Sequence, residues 1–333
     1  MQVYNIEVEN VLPILTDMVE AIRNFNDSEN IYLSRTYDSS MPESGILKKA
    51  FGIKEAKLPG FLTRLGVRSL TLSSPYPEDA LSVYTFDIEE GDSKRNSWSE
   101  IKSEKIVADL SALFQSCGTI AFDDWTNVAN SSDLWNGLLS DVIRPLQKKD
   151  LDFIFYLGDP AEKLFYQVDE ILDIISEFSK HGRVTFCLDE SEAVKLWMVL
   201  NGEHPDAASE TFTPSDLKRK YFSIFRTMAV SRLLIYSASD ALVYSEDEEF
   251  VLARKVVDHN IEVAKDARDN FIAGFTIGLI LQLNIKYCIA LGLIVFGSHG
   301  ENNSNPDKDD LLAYIEKWIV DLNKDDSISL YQE

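Results

Sequence analysis

The chain has 333 residues, 45% of them apolar, and a formal net charge of −23 from 32 basic and 55 acidic side chains. The length suits one large α/β domain or two smaller ones, and the apolar share excludes a disordered chain. The charge opposes nucleic acid and anionic membranes; Cys117, Cys187 and Cys288, like the four histidines, lack metal-ligand spacing, which points to a reduced, cytoplasmic setting.

The opening MQVYNIEVEN carries acids before any apolar run, unlike a secretory signal. VLPILTDMVEAIRNF places apolar residues at helical spacing, with Pro13 near the start. Residues 26–45 are polar and loop-like, with a short strand at Ile31–Leu33. Arg68–Ser74 and Leu81–Ile88 read as strands, and residues 91–100 as a solvated loop. From residue 101 a regular rhythm sets in. Ile106–Phe114, Leu134–Leu146, Val168–Phe178, Glu192–Leu200 and Leu217–Met228 read as helices. Between them, Thr119–Phe122, Asp152–Leu157, Val184–Leu188 and Ser231–Tyr236 read as buried strands. Such alternation predicts βαβ units, a mainly parallel sheet, and ligands at the carboxyl ends of its strands. Acidic clusters stand at those ends: Asp123/Asp124, Asp159, and Asp189/Glu190/Glu192. Residues 271–296 are nearly all apolar, but Gln282, Asn284 and Lys286 interrupt them. The stretch reads as two buried helices with a turn at 283–285, not a membrane span.

Within that stretch, Gly274 and Gly278 stand four apart, a spacing that lets a neighbour approach closely. Asp269 precedes the helix, where unpaired backbone N–H groups suit an anion and a carboxylate can accept a hydroxyl proton. The plainer alternative is an Asp that only caps the helix. Asp266-Ala267-Arg268-Asp269-Asn270-Phe271-Ile272-Ala273-Gly274-Phe275 resembles the C-terminal signature G-A-G-D-x-F-x-A-G-F of the ribokinase/PfkB family of sugar kinases. The Asp, Phe and Ala-Gly-Phe positions match in register, while Asp266 and Arg268 replace both glycines. Gly158-Asp159-Pro160 resembles the family's Asp-Pro-x-x-Arg turn, with Lys163 for Arg. Asp189 through Glu192 resembles its Asn-x-x-Glu segment, with Asp for Asn. Gly52-Ile53-Lys54 falls where the family has Gly-Gly-Asn followed by a helix, and Leu65-Gly66 closes that region. Ser237-Ala238-Ser239 stands near a nucleotide-binding turn that in the family is glycine-rich.

The resemblance implies one ribokinase-like three-layer α/β/α domain over residues 1–333, divergent over 1–49, with lid segments near 31–40 and 81–90. It implies Asp269 as catalytic base, an anion hole at Asp266, Ala267, Arg268 and Asn270, and nucleotide contacts at Ser237 and Ser239. It further implies Mg²⁺ organised by Asp189 and Glu192, and sugar contacts at Gly52, Lys54 and Asp159. The substrates are then ATP and a sugar or polyol, and the family's habit of pairing through a lid sheet allows a homodimer. The altered motifs leave a second reading open, a pseudokinase that binds a small molecule or a protein partner. Asp266 repels triphosphate oxygens unless it binds Mg²⁺, whereas Arg268 can grip phosphate bidentately.

Overall fold

The computed structural model describes residues 7–8, 10–24, 32–35, 54–57, 67–73, 97–116, 119–122, 125–126, 130–203, 212–237, 240–246, 249–253, 270–272, 274–275, 278, 283–302 and 306–322. Its strands are β1 (Glu7–Val8), β2 (Tyr32–Arg35), β3 (Lys54–Lys57), β4 (Val67–Ser73), β5 (Thr119–Phe122), β6 (Leu151–Tyr156), β7 (Gly182–Asp189), β8 (Arg232–Tyr236), β9 (Asp240–Ser245) and β10 (Glu249–Ala253). Its helices are α1 (Val11–Asn24), α2 (Trp98–Ile101), α3 (Glu104–Ser116), α4 (Ser131–Leu138), α5 (Phe165–Phe178), α6 (Glu190–Leu200), α7 (Pro214–Met228), α8 (Ile285–Asn302) and α9 (Lys308–Leu322). The described residues within 270–278 are helical too. The chain forms two compact units: Met1–Ile31, Asp38–Glu55 and Leu234–Glu333 in one, Tyr32–Tyr37 and Ala56–Leu233 in the other.

The second unit is the α/β core that the rhythm predicts. β5, β6 and β7 run parallel, with Phe122 opposite Phe155 and Phe155 opposite Phe186. β4 lies antiparallel to β5, and β2 antiparallel to β4. Consecutive residues of β6 and β7 are buried, so both faces of these strands are covered, the condition under which parallel strands persist. One face is aromatic. Phe122 stacks on Phe155 at 4.5 Å, and Phe178 of α5 meets Phe122, Phe153 and Phe155 edge-on at 5.1–5.2 Å. Trp135 of α4 closes the cluster, 5.2 Å from Phe122. Burying each ring contributes about 1.5–3 kcal/mol. Helix α5 reaches this face because Val168, Ile171, Leu172, Ile175 and Phe178 fall on one side of it, and the Gln167 side chain accepts the backbone N–H of Leu164 at its start.

Three expectations are corrected here. Of the solvated loop expected over 91–100 only 97–100 are described, and there Trp98 opens a helix, is buried and donates its indole N–H to Asp141 at 2.6 Å. Gly137 makes room for it, since a Cβ there would overlap the Trp98 ring. The helix expected over 134–146 runs from Ser131 to Leu138 and widens to a π turn over Leu139–Ile143. There the Arg144 N–H reaches back to the Leu139 carbonyl at 2.9 Å. Lys54 lies in strand β3, where the family pattern leads toward a helix.

In the first unit, β10 pairs with β9 antiparallel and with β1 parallel. Helices α1, α8 and α9 pack on one another. Gly297 of α8 lies against Tyr314 of α9 with no space for a Cβ, and Trp318 of α9 is fully buried. Arg23 of α1 bonds Glu316 of α9 at 3.2 Å, and the Lys308 ammonium donates to the Arg23 carbonyl at 3.1 Å. Neither β10 nor α9 is among the expected elements, although Leu311, Tyr314, Ile315 and Trp318 of α9 fall at helical spacing and are buried. The strand expected at Leu81–Ile88 and the lid segment expected near 81–90 lie outside the described residues; the lid segment expected near 31–40 includes β2.

Candidate functional site

Because β5, β6 and β7 are parallel neighbours, the turns that follow them emerge at one end of the strand set. After β5, the Trp125 carbonyl accepts the Ser131 hydroxyl at 3.1 Å, and Asn130, in left-handed backbone at φ 54°, opens α4. After β6, Gly158 takes φ 80°, and Asp159 then caps the short 3₁₀ turn Pro160–Glu162 by accepting the Ala161 N–H at 2.9 Å. The other Asp159 oxygen pairs with Lys195, which stands on α6. The turn after β6 and the helix after β7 are thereby tied together. Lys163 of the same turn lies over the Trp125 ring at 5.5 Å, which links it to the turn after β5 as well.

Asp189 and Glu192 form a capping box at the start of α6. The Asp189 side chain accepts the Glu192 N–H at 2.7 Å, and Glu192 returns the bond by accepting the Asp189 N–H at 2.9 Å. Glu192 is buried. Between them, burial pushes the Glu190 carboxyl up, repulsion from Asp189 adds to it, and the Tyr221 hydroxyl opposes the shift. Farther along α6, Trp197 lies 3.0 Å from the ammonium of the buried Lys220, which also sits over Phe212 at 4.3 Å. A cavity of about 460 Å³ opens beside the turn after β5, lined by Trp125, Asn130, Asp133, Lys163 and Glu170 among others.

In the other unit, Ser237 and Asp240 brace the turn between β8 and β9. The Ser237 hydroxyl donates to the Asp240 carboxylate at 2.8 Å, and the Ser237 N–H donates to the Asp240 carbonyl at 2.8 Å. Side-chain bonds thus hold a turn that glycines make in the family pattern. All described residues of 270–278 are buried. Asn270, Phe271, Ile272 and Phe275 are buried, and Phe271 stacks on Tyr236 of β8 at 4.1 Å. A Cβ on Gly274 would overlap the Leu291 carbonyl, and one on Gly278 would stand 2.6 Å from the Cys288 Cα. The two glycines expected to admit a close neighbour do so, and the neighbour is α8.

Asp159, Asp189, Glu192, Ser237 and Asn270 are therefore held in defined surroundings, with Asp159 tied to α6, which Asp189 and Glu192 open. Asp123, Asp124, Gly52, Ser239, Asp266, Ala267, Arg268 and Asp269 lie outside the described residues, as does the side chain of Lys54. Lys195 and Lys220 belong to no motif that the sequence displays. The one signal for Lys195 is its place a helical turn beyond Glu192. Among the described residues no cluster of three or more His, Cys, Asp or Glu is arranged to hold a metal ion, and no helix is long and apolar enough to cross a membrane.

The parallel strands β5 to β7 and, in the sequence, the pattern Asp-x-Phe-x-Ala-Gly-Phe over residues 269–275 are features of the ribokinase/PfkB class of carbohydrate kinases. The family model described as prokaryotic ketohexokinase matches residues 81–318, well over half the chain, and the chain belongs to that family. No curated protein sequence matches it. Among solved structures, adenosine kinase of Trypanosoma brucei brucei is similar at 10% identity and TM-score 0.45, over 63% of this chain and 57% of that one. Ribokinase of Arabidopsis thaliana, solved with ribose and ATP, is similar at 12% identity and TM-score 0.43, over 64% and 59%. A PfkB protein of a Polaromonas species reaches 16% identity and TM-score 0.40, over 62% and 61%. The chain thus spans less than two thirds of the length of each.

Proposed function

We propose that the chain is an ATP-dependent kinase of a ketohexose or a closely related sugar. The observation that carries the reading is the family match over residues 81–318, with Asp269 in register ahead of a buried, glycine-packed signature helix. Asp269 accepts the proton of the attacking sugar hydroxyl. The hydroxyl oxygen bonds to the γ-phosphorus, the bond to the bridging oxygen of ADP breaks, and ADP leaves with the electron pair. Arg268 and the amides at the helix start, including that of Asn270, offset the charge on the transferred group.

Bound Mg²⁺ would neutralise charge on the triphosphate. Magnesium in such sites is held by one or two carboxylates plus substrate phosphates, so a two-carboxylate set fits it without a protein cage. Asp189 and Glu192 would be that set, and the capping box between them fixes where the pair stands. Asp159 serves by tying its turn to α6 through Lys195, and the sugar contacts at Gly52 and Lys54 belong to the same reading.

Calorimetric titration with Mg·ATP tests the nucleotide half. The native chain is expected to bind, and Arg268→Gly to bind about tenfold more weakly, as the loss of one charge-assisted bond implies. No native binding, with binding gained on the double change Asp266→Gly and Arg268→Gly, would establish a filled anion hole and the pseudokinase alternative.

A further inference from the structure

Helix α5 presents a face that neither the fold nor the kinase chemistry uses. Leu164, Phe165 and Tyr166 are consecutive and 61%, 55% and 64% exposed; they are three of the five large exposed apolar side chains among the described residues. One and two turns on, Asp169, Glu170 and Asp173 follow on the same side of the helix, all exposed. None of these three acids forms an ion pair among the described residues, although like charges at these spacings weaken a helix. Lys163, which precedes Leu164, lies over Trp125. Lys163 and Glu170 also line the 460 Å³ cavity, so the aromatic patch borders a polar recess that Asp133 shares.

We infer that this face is a docking site for a short, basic and apolar segment of another protein. Soluble proteins seldom leave adjacent aromatics exposed away from an interaction site, and Phe and Tyr are enriched at interfaces. The patch offers on the order of 300 Å² of apolar surface, well short of the ~800 Å² per partner that a stable globular interface buries. It suits a linear segment. Charge selects which one: a second copy of this face would set the acid row against itself, whereas Lys or Arg spaced along a partner would pair with it. The partner's apolar side chains cover Phe165 and Tyr166, and its basic ones meet Asp169, Glu170 and Asp173.

The test uses the full chain and three fluorescent twelve-residue probes, alternating Leu-Lys, Leu-Glu and Ser-Lys, read by anisotropy. Leu-Lys is expected to bind at least about tenfold more tightly than either of the others, and to lose that advantage at ~1 M salt, where the Debye length is ~3 Å. Phe165→Ser with Tyr166→Ser is expected to weaken Leu-Lys binding about tenfold, a loss of ~1.4 kcal/mol. Asp169→Asn with Asp173→Asn keeps the aromatics and is expected to weaken it severalfold while flattening the salt dependence. These changes are on the surface, and an unaltered unfolding midpoint confirms that each variant is folded. Equal binding by parent and both variants would overturn the inference. So would a concentration-dependent dimer in sedimentation that the aromatic variant abolishes, because a second copy would then occupy the face.

Discussion

Replacing Gly274 by Ala measures how closely the signature helix approaches α8. In an exposed helix the change would stabilise the protein by about 1 kcal/mol, the propensity difference between the two residues. At 274 the added Cβ overlaps the Leu291 carbonyl oxygen and stands 2.8 Å from the Gly292 Cα and 2.9 Å from the Leu291 carbonyl carbon. All three are backbone atoms, so no rotamer change relieves the contact and one helix must shift. Overpacking of a tight core costs about 1–3 kcal/mol, and rigid neighbours place this site at the upper end. The net expectation is a loss of about 2 kcal/mol. Urea unfolding followed by tryptophan fluorescence, compared at constant m-value, reads it directly. Gly202 serves as control: it has φ 71° and open space for 4 Å around the place a Cβ would take, so its Ala variant should lose about 1 kcal/mol from backbone strain alone. A Gly274→Ala protein as stable as the parent, or more so, would refute the close helix contact.

Three further outcomes follow from the packing. Hydrogen bonds from Lys102 and then Trp98, with the Lys102 charge, hold the Asp141 carboxyl below its usual range, so it stabilises the fold above the unfolded carboxyl pKa and that contribution fades as pH falls through the folded one. Asp141→Asn should therefore be less stable than the parent at neutral pH, with the gap closing in acid, as unfolding midpoints across pH would record. Phe155→Ala opens the aromatic cluster and should cost about 3–5 kcal/mol in urea unfolding. Lys195→Met removes the tie between Asp159 and α6; with both groups about a third exposed, the loss should be no more than about 1 kcal/mol, and a double-mutant cycle with Asp159→Asn isolates it.

The α/β rhythm from residue 101 to 236 was legible because buried parallel strands such as Phe153–Tyr156 read as continuous apolar runs between amphipathic helices. The signature helix was legible for a different reason: Gly274 and Gly278 keep the spacing that α8 requires. Trp98 was not legible. Its polar neighbours suggest solvent, and the groove at Gly137 and the acceptor at Asp141 that bury it lie about forty residues along the chain. Lys195 was hidden for the same reason, since its partner Asp159 belongs to another turn. Beside Ser237 the glycines of the family pattern are absent. Reciprocal Ser237–Asp240 bonds supply a local account of how such a turn holds its shape without them.

The central claim is that the chain transfers phosphate to a sugar hydroxyl with Asp269 as base. The most direct measurement is sugar-dependent ADP release from Mg·ATP by the native chain and by Asp269→Asn, over a panel of ketohexoses, aldohexoses and polyols. A rate with a ketohexose that falls about 10²–10⁴-fold in the variant, with Mg·ATP affinity in calorimetry little changed, is the expected result. Sugar-dependent release that survives Asp269→Asn intact would contradict the assignment of the base. Release with no sugar on the panel, from a chain that binds Mg·ATP, would contradict the kinase itself.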